Sequence, residues 1–351
     1  MPSDLSVRRD SEFFISIAKQ GIHSFLMLGV VGEDGSPQLL ARVGKTNDID
    51  PDFASQVTMA RKAIASQTMA RLADEGIARG KDHKADVNYK AYAINYEQFK
   101  QFLELIGDIE KRQLANPAIR DAVERESNSR IECYVPKEGE ADSDRITLIY
   151  RTLESAGYHR DPSAEPSATV TGAQSLHVSN TCRTTALNIL ESILGFKTNV
   201  SRYFFIEPDY KSKLRAGQPD KDSFYILPPP PNTCPDLSAQ QQYVLEKLYA
   251  RLEKIPKIKP EDPETRKKFD KLKDLYKSLV GENRLSASDL LVKINEHERI
   301  NKEVLHKKRD PNFFSRLFST STSTEKMYKE MRRHLELERE ENKEEDRPAP
   351  K

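Results

Sequence analysis

The 351-residue chain reads as an α+β protein: an antiparallel sheet of short hairpins packed with helices, followed by an α-helical C-terminal region. Three observations predict this. Short apolar runs bounded by turn residues recur through the first half. Apolar residues at helical spacing follow capping signals from Asn95 onward. After Pro256, lysine and glutamate dominate every helical segment. Hydrophobic residues make up 37% and charged residues 32%, against globular averages of about 45–50% and 25%. The surplus charge gathers at the end, which divides the chain into an α+β core over 1–255, a charged helical region over 256–335 and a disordered acidic tail over 336–351.

Phe13 to Lys19 suits a short helix or a strand, and Gly21 releases the chain into the apolar run Ile22–Val31, a buried strand. Gly32 to Pro37 is dense in turn residues, and Gln38 to Gly44 returns as the second arm of a hairpin. Asp50-Pro51 offers an N-cap and N1 proline for a helix through about Arg79. Tyr89–Ile94 is strand-like, and Asn95 with Gln98 caps a helix carrying Phe99, Phe102, Leu103 and Ile106 on one face. Asn116-Pro117 opens another short helix. Arg130–Val135 and Arg145–Arg151 pair as a second hairpin, and Asp161–Gly172 is an exposed loop.

Ser179-Asn180-Thr181 then precede an apolar helix stopped at Gly195. Arg202–Ile206 and Ser223–Leu227 are read as strands around a charged loop, the second running into the polyproline stretch Pro228–Pro231. Ser238 with Gln241 boxes a helix to about Ile255. Beyond it, Asp262-Pro263, Ser286 with Asp289, and Thr322 with Glu325 each open a charged helix. The cluster Phe313, Phe314, Leu317 and Phe318 calls for a docking surface.

Composition narrows the function. Lys+Arg 56 against Asp+Glu 55 leaves no global field to draw in nucleic acid. The basic stretch Lys257–Lys273 is interleaved with acids, as a solvated helix face is. No apolar run is long enough to span a bilayer, and Met1–Asp10 lacks the order of a signal peptide. A cytosolic fold is therefore expected, with peripheral membrane contact left open. No phosphate-cradling motif is present, so no cofactor is predicted. His297 and His306 lack metal-ligand spacing and read as solvated helix-face residues.

Cys133, Cys182 and Cys234 are widely spaced and read as free thiols. Of the three, Cys182 stands at the start of a helix, where unpaired backbone N–H groups stabilise a thiolate. It is the candidate nucleophile. His177, five residues upstream, is read as a loop residue, whereas His23 at the mouth of an apolar strand is the candidate base. Hairpin pairing places residue 23 opposite residues 45–47, so Asn47 or Asp48 is the candidate orienter. Gln174 and Asn180 are the available side-chain donors for an oxyanion.

This order, a histidine first and a helix-start cysteine much later, resembles the circularly permuted papain-like or NlpC/P60-type thiol hydrolases and acyltransferases. The resemblance covers Ile22–Val31 and Ser179–Leu194, with Asn180-Thr181-Cys182-Arg183 similar to the Asn-Cys segment of that group apart from an inserted threonine. The glutamate-rich end Glu336–Glu345, with the phrases Phe204–Tyr210 and Phe224–Pro230, resembles Legionella-type effectors exported by the Dot/Icm type IV secretion system. That likeness implies synthesis in a bacterial cytoplasm, delivery into a host cell and a host-protein partner. Two function classes follow. The core is a cysteine-protease-like hydrolase or acyltransferase, or it is a non-catalytic module that binds a host protein or membrane partner through the core and the helical tail.

Overall fold

The computed structural model describes residues 3–46, 68–76, 84–125, 130–139, 144–158, 168–177, 179–307 and 321–345. The chain divides into two units, Met1–Ile226 and Leu227–Lys351. The first is α+β and the second is helical, so the helix at Ala239–Lys254 groups with the charged helices rather than with a core ending at residue 255.

In the first unit the strands are β1 (Leu5–Arg8), β2 (Phe13–Gln20), β3 (His23–Val31), β4 (Pro37–Thr46), β5 (Thr68–Met69) and β6 (Arg71–Asp74). They continue as β7 (Lys84–Ile94), β8 (Glu132–Pro136), β9 (Arg145–Thr152), β10 (Ser175–Leu176), β11 (Tyr210–Arg215) and β12 (Gln218–Pro219). The main antiparallel sheet runs in the order β12-β11-β7-β2-β3-β4-β6. Its central strands β2 and β3 are buried on both faces, which is why Phe13–Ala18 and Phe25–Val30 read as continuous apolar runs instead of alternating ones. Strands β1, β9 and β8 form a second sheet, and β5 pairs with β10.

The helices of this unit are α1 (Tyr96–Leu114), α2 (Pro117–Arg125), α3 (Ala168–Gly172) and α4 (Cys182–Leu194). Asn95 and Gln98 form the expected capping box on α1, and Phe99 stacks on Phe13 with ring centroids 4.9 Å apart. Helix α4 packs on β2, β3 and β4 and ends at Gly195, whose φ of 74° is the left-handed cap that glycine accepts without strain.

Several expectations are corrected. The helix predicted from Pro51 to Arg79 lies outside the described residues over 51–67 and 77–79, and 68–76 holds β5 and β6. Pairing of β6 with β4 prevails there over the helical propensity of Met69, Ala70, Arg71 and Leu72. Arg202–Ile206 is a turn segment, not a strand, because the carbonyls of Ser201 and Ile206 accept from the Arg183 side chain. The strand is instead Tyr210–Arg215, where Tyr210, Ser212 and Leu214 face inward and the basic residues between them face out. Part of the loop expected over 161–172 is helix α3.

The second unit contains α5 (Ala239–Lys254), α6 (Pro263–Val280), α7 (Ala287–Ile300), α8 (Lys302–His306) and α9 (Ser323–Glu345). Helices α5 and α7 begin with the expected capping boxes, and the Asp262 side chain caps α6. The Thr322–Glu325 bonds open α9, which carries through Glu345 instead of fraying at 336. His297 and His306 are not solvated-face residues. His297 bridges the Tyr328 hydroxyl at 2.8 Å and the Lys271 carbonyl at 2.9 Å, and His306 lies between Glu298 at 2.9 Å and Glu325 at 3.1 Å. The Phe313–Phe318 cluster lies outside the described residues. Among the described residues no helix is long and apolar enough to cross a membrane.

Phe99 is fully buried between α1 and the sheet, so Phe99→Ala is expected to cost the first unit about 3–5 kcal/mol. Urea unfolding followed by far-UV circular dichroism measures this; a loss below about 1 kcal/mol would contradict the packing described.

Candidate active site

Helix α4 begins with Thr181 as N-cap, in extended conformation, its hydroxyl accepting the Thr184 N–H at 3.3 Å. Cys182 is thereby the first helical residue, with its sulfur at the end where backbone N–H groups are unspent. The approach to the helix is held by two side chains. The Asn180 amide nitrogen donates to the Gly172 and Ser175 carbonyls at 2.7 and 2.8 Å, and its oxygen accepts from the Thr185 hydroxyl at 3.1 Å. Lys45 reaches from β4 and donates to the Gly172 carbonyl at 3.0 Å, the Asn180 carbonyl at 3.1 Å and the Thr185 hydroxyl at 2.9 Å. An ammonium has three protons, and all three are bound.

His23 opens β3 just past the β2–β3 turn, where Gly21 takes a φ of 59°. Its Nε2 pairs with Glu75 Oε1 at 2.7 Å. These two residues belong to β3 and to the end of β6, with β4 between them, so the pair spans two strand spacings, about 9.5 Å. Gly44 makes the span possible. It lies opposite Phe25 on β3 and Ala73 on β6, and a Cβ there would fall 2.1 Å from Glu75 Oε1 and 2.7 Å from His23 Nε2. The Glu75 backbone is fixed by its N–H to the Arg42 carbonyl at 2.9 Å.

With Nε2 of His23 paired to Glu75, the imidazole and the Cys182 thiol lie close enough to act on each other's ionisation. Burial raises the Cys182 thiol, but contact with His23 and the backbone N–H groups of Ser24 and Arg183 outweighs it and brings the thiol below its ordinary value. Burial likewise lowers His23, and its bonds to Cys182 and Glu75 overcome that, pushing the imidazole up to about 10. The two shifts run in the direction that favours a thiolate–imidazolium pair. Burial pushes Cys133 and Cys234 the other way. Lys45 is drawn down to about 7 by burial, against the upward pull of the Cys182 thiolate.

The structure therefore brings Cys182 and His23 together. Asn47 and Asp48 lie outside the described residues, and the group on the far nitrogen of His23 is Glu75. Sequence reasoning missed Glu75 because it placed that residue inside a helix. The register of β4 against β6 is the signal that identifies it. His177 bonds to the Ser179 hydroxyl at 2.9 Å, as a loop residue. The Asn180 amide is spent on the loop and is not available to an oxyanion, while Gln174 is half-buried in the turn before β10. Among the described residues no group of three or more His, Cys, Asp or Glu is arranged to hold a metal ion.

Two outcomes test this geometry. Iodoacetamide should modify Cys182 faster than Cys133 and Cys234 at about pH 7, because a lowered thiol carries more thiolate there than two raised ones; peptide mass mapping reads it, and equal modification would refute the ion pair. Gly44→Ala should separate His23 from Glu75 and slow Cys182 alkylation about tenfold at that pH, one pKa unit of lost thiolate, with circular dichroism unchanged. No protein-family model, curated protein or solved structure matches this chain, so the case for chemistry here rests on Cys182, His23 and Glu75 themselves.

Proposed function

We propose that the first unit is a cysteine-dependent hydrolase or acyltransferase, with Cys182 as nucleophile, His23 as base and acid, and Glu75 as orienter. The observation that carries this is the convergence of a helix-start cysteine with a carboxylate-bound histidine, each shifting the other toward its charged form. A structural cysteine needs neither partner. In the first step the Cys182 sulfur attacks an acyl carbon and forms a carbon–sulfur bond. The carbon–nitrogen or carbon–oxygen bond of the substrate breaks, and His23 gives its proton to the leaving group. In the second step His23 takes a proton from water or an acceptor amine or hydroxyl, which attacks the thioester and releases the thiolate. Glu75 holds the imidazole in place and favours its charged form, and the backbone N–H groups at the start of α4 are placed to meet the oxyanion.

The resemblance of the Glu336–Glu345 segment to secretion signals supports a bacterial effector that acts on a host protein after export. The helical unit, which leaves Val292, Ile300 and Leu337 exposed, is then the part that engages the host partner or a membrane surface.

With 4-nitrophenyl acetate as acyl donor, the full chain should release a burst of nitrophenolate and carry an acetyl group on Cys182, seen by intact-mass spectrometry. Cys182→Ala should show neither, and His23→Ala should slow the burst about 100-fold or more. Glu75→Gln should fall between His23→Ala and the parent. No burst and no acetyl group in the parent would assign the chain to the non-catalytic binding class, and a burst that survives in Cys182→Ala would remove Cys182 as the nucleophile.

A further inference from the structure

The residue after the nucleophile, Arg183, is fully buried, an unusual place for a guanidinium. Among the described residues no carboxylate forms an ion pair with it, and the charges of Cys182 and Glu207 act on it only from a distance. Its Nε donates to the Ser201 carbonyl at 3.0 Å and its Nη2 to the Ile206 carbonyl at 2.5 Å, while Nη1 has no hydrogen-bond partner. Burying a cation against two neutral carbonyls is costly. What it achieves is to fix both ends of the segment 201–206 to the first turn of α4. A second tie holds the exit of this segment: Glu207 pairs with Lys19 at 2.5 Å, and Lys19 lies opposite Ser24, the neighbour of His23.

The segment held in this way spends apolar side chains on solvent. Tyr203 is 75% exposed, Phe205 78% and Ile206 51%, and Ile22, the residue before His23, is 45% exposed. These are four of the nine large apolar residues that stand exposed among the described residues, and Met69 is the only other one in this unit. The Phe204 ring lies tilted against Phe205 with centroids 3.8 Å apart, which restrains the exposed ring. The patch is anchored through Arg183, next to Cys182, and through Lys19, opposite the neighbour of His23, so an apolar group near the two side chains has this surface beside it.

We propose that segment 201–207 is a specificity wall of the Cys182 site, and that it takes an apolar side chain, aromatic or aliphatic, carried by the substrate next to the acyl carbon under attack. The occupant is the substrate and not a permanent subunit, because the patch is joined to the candidate nucleophile and base by Arg183 and Lys19. Arg183 acts as a positioning residue, and Phe205 and Ile206 supply the contact. This inference rests on the thiol-chemistry reading of the preceding section.

The test compares two irreversible probes on the full chain, N-acetyl-phenylalanine chloromethyl ketone and N-acetyl-alanine chloromethyl ketone. In each the Cys182 sulfur displaces chloride and forms a carbon–sulfur bond, so the reactive groups are identical and only the side chain differs. The phenylalanine probe should react with Cys182 at least about tenfold faster, the low end of what seating an apolar group in a site gives. In the double variant Phe205→Ser/Ile206→Ser that ratio should fall to within about twofold, while the rate with iodoacetamide, which has no side chain to seat, stays at the parent value. A ratio near one in the parent chain, or a ratio unchanged in the double variant, overturns the wall. If iodoacetamide shows no preference for Cys182 over Cys234 in the parent chain, the thiolate reading fails first and the wall falls with it.

Discussion

An imidazole at the start of one strand and a carboxylate at the end of another can meet across an intervening strand only if that strand carries nothing above its backbone. The span from His23 to Glu75 over Gly44 depends on this condition. Much of the first unit is arranged to keep it. The β3–β4 register sets Gly44 beside Phe25, the β4–β6 register sets Ala73 beside Gly44, and the Glu75 N–H extends the ladder by one more bond. The carboxylate that results favours the charged imidazole, and the imidazole in turn favours the thiolate. The reactivity assigned to Cys182 is therefore a property of three strands and a helix together.

Much of the fold could be read locally, and the part that could not has a common physical cause. The Asn95, Ser238, Asp262, Ser286 and Thr322 caps, the two hairpins and the helix ending at Gly195 are each decided within a few residues, so spacing and side-chain type were enough to place them. Cys182 and His23 were legible for the same reason, since each stands at an element start with a turn or cap beside it. Glu75 was not. Its neighbours Met69–Ala73 favour a helix in isolation, and only pairing with a strand about thirty residues earlier makes them extended. The segment 202–206 misled in the converse way. Its aromatic residues suit a strand, but the Arg183 side chain takes the carbonyls of its ends.

In the helical unit, polar side chains act as pins between helices. His297 and His306 were read as solvated because they lack metal-ligand spacing, yet each bonds to residues from other helices. Gln241 does similar work: its side-chain nitrogen bonds the Leu279 and Glu282 carbonyls at the end of α6, and its oxygen accepts the Leu285 N–H. Buried groups with several fixed partners accept few alternative packings, which gives a lysine- and glutamate-rich bundle a defined arrangement despite its small apolar content.

The order of the three candidate site residues along the chain bears on when reactivity can exist. His23 and Glu75 belong to a sheet whose first hairpin is local, whereas Cys182 joins only after β7 has closed on β2 and the Lys45 and Asn180 bonds have fixed the entry to α4. Contacts this distant in sequence carry a large loop-closure cost. Until they form, Cys182 has neither a helix end nor an imidazole beside it and is an ordinary thiol. In an extended chain the candidate nucleophile is chemically quiet, and only the assembled sheet and helix give it a partner.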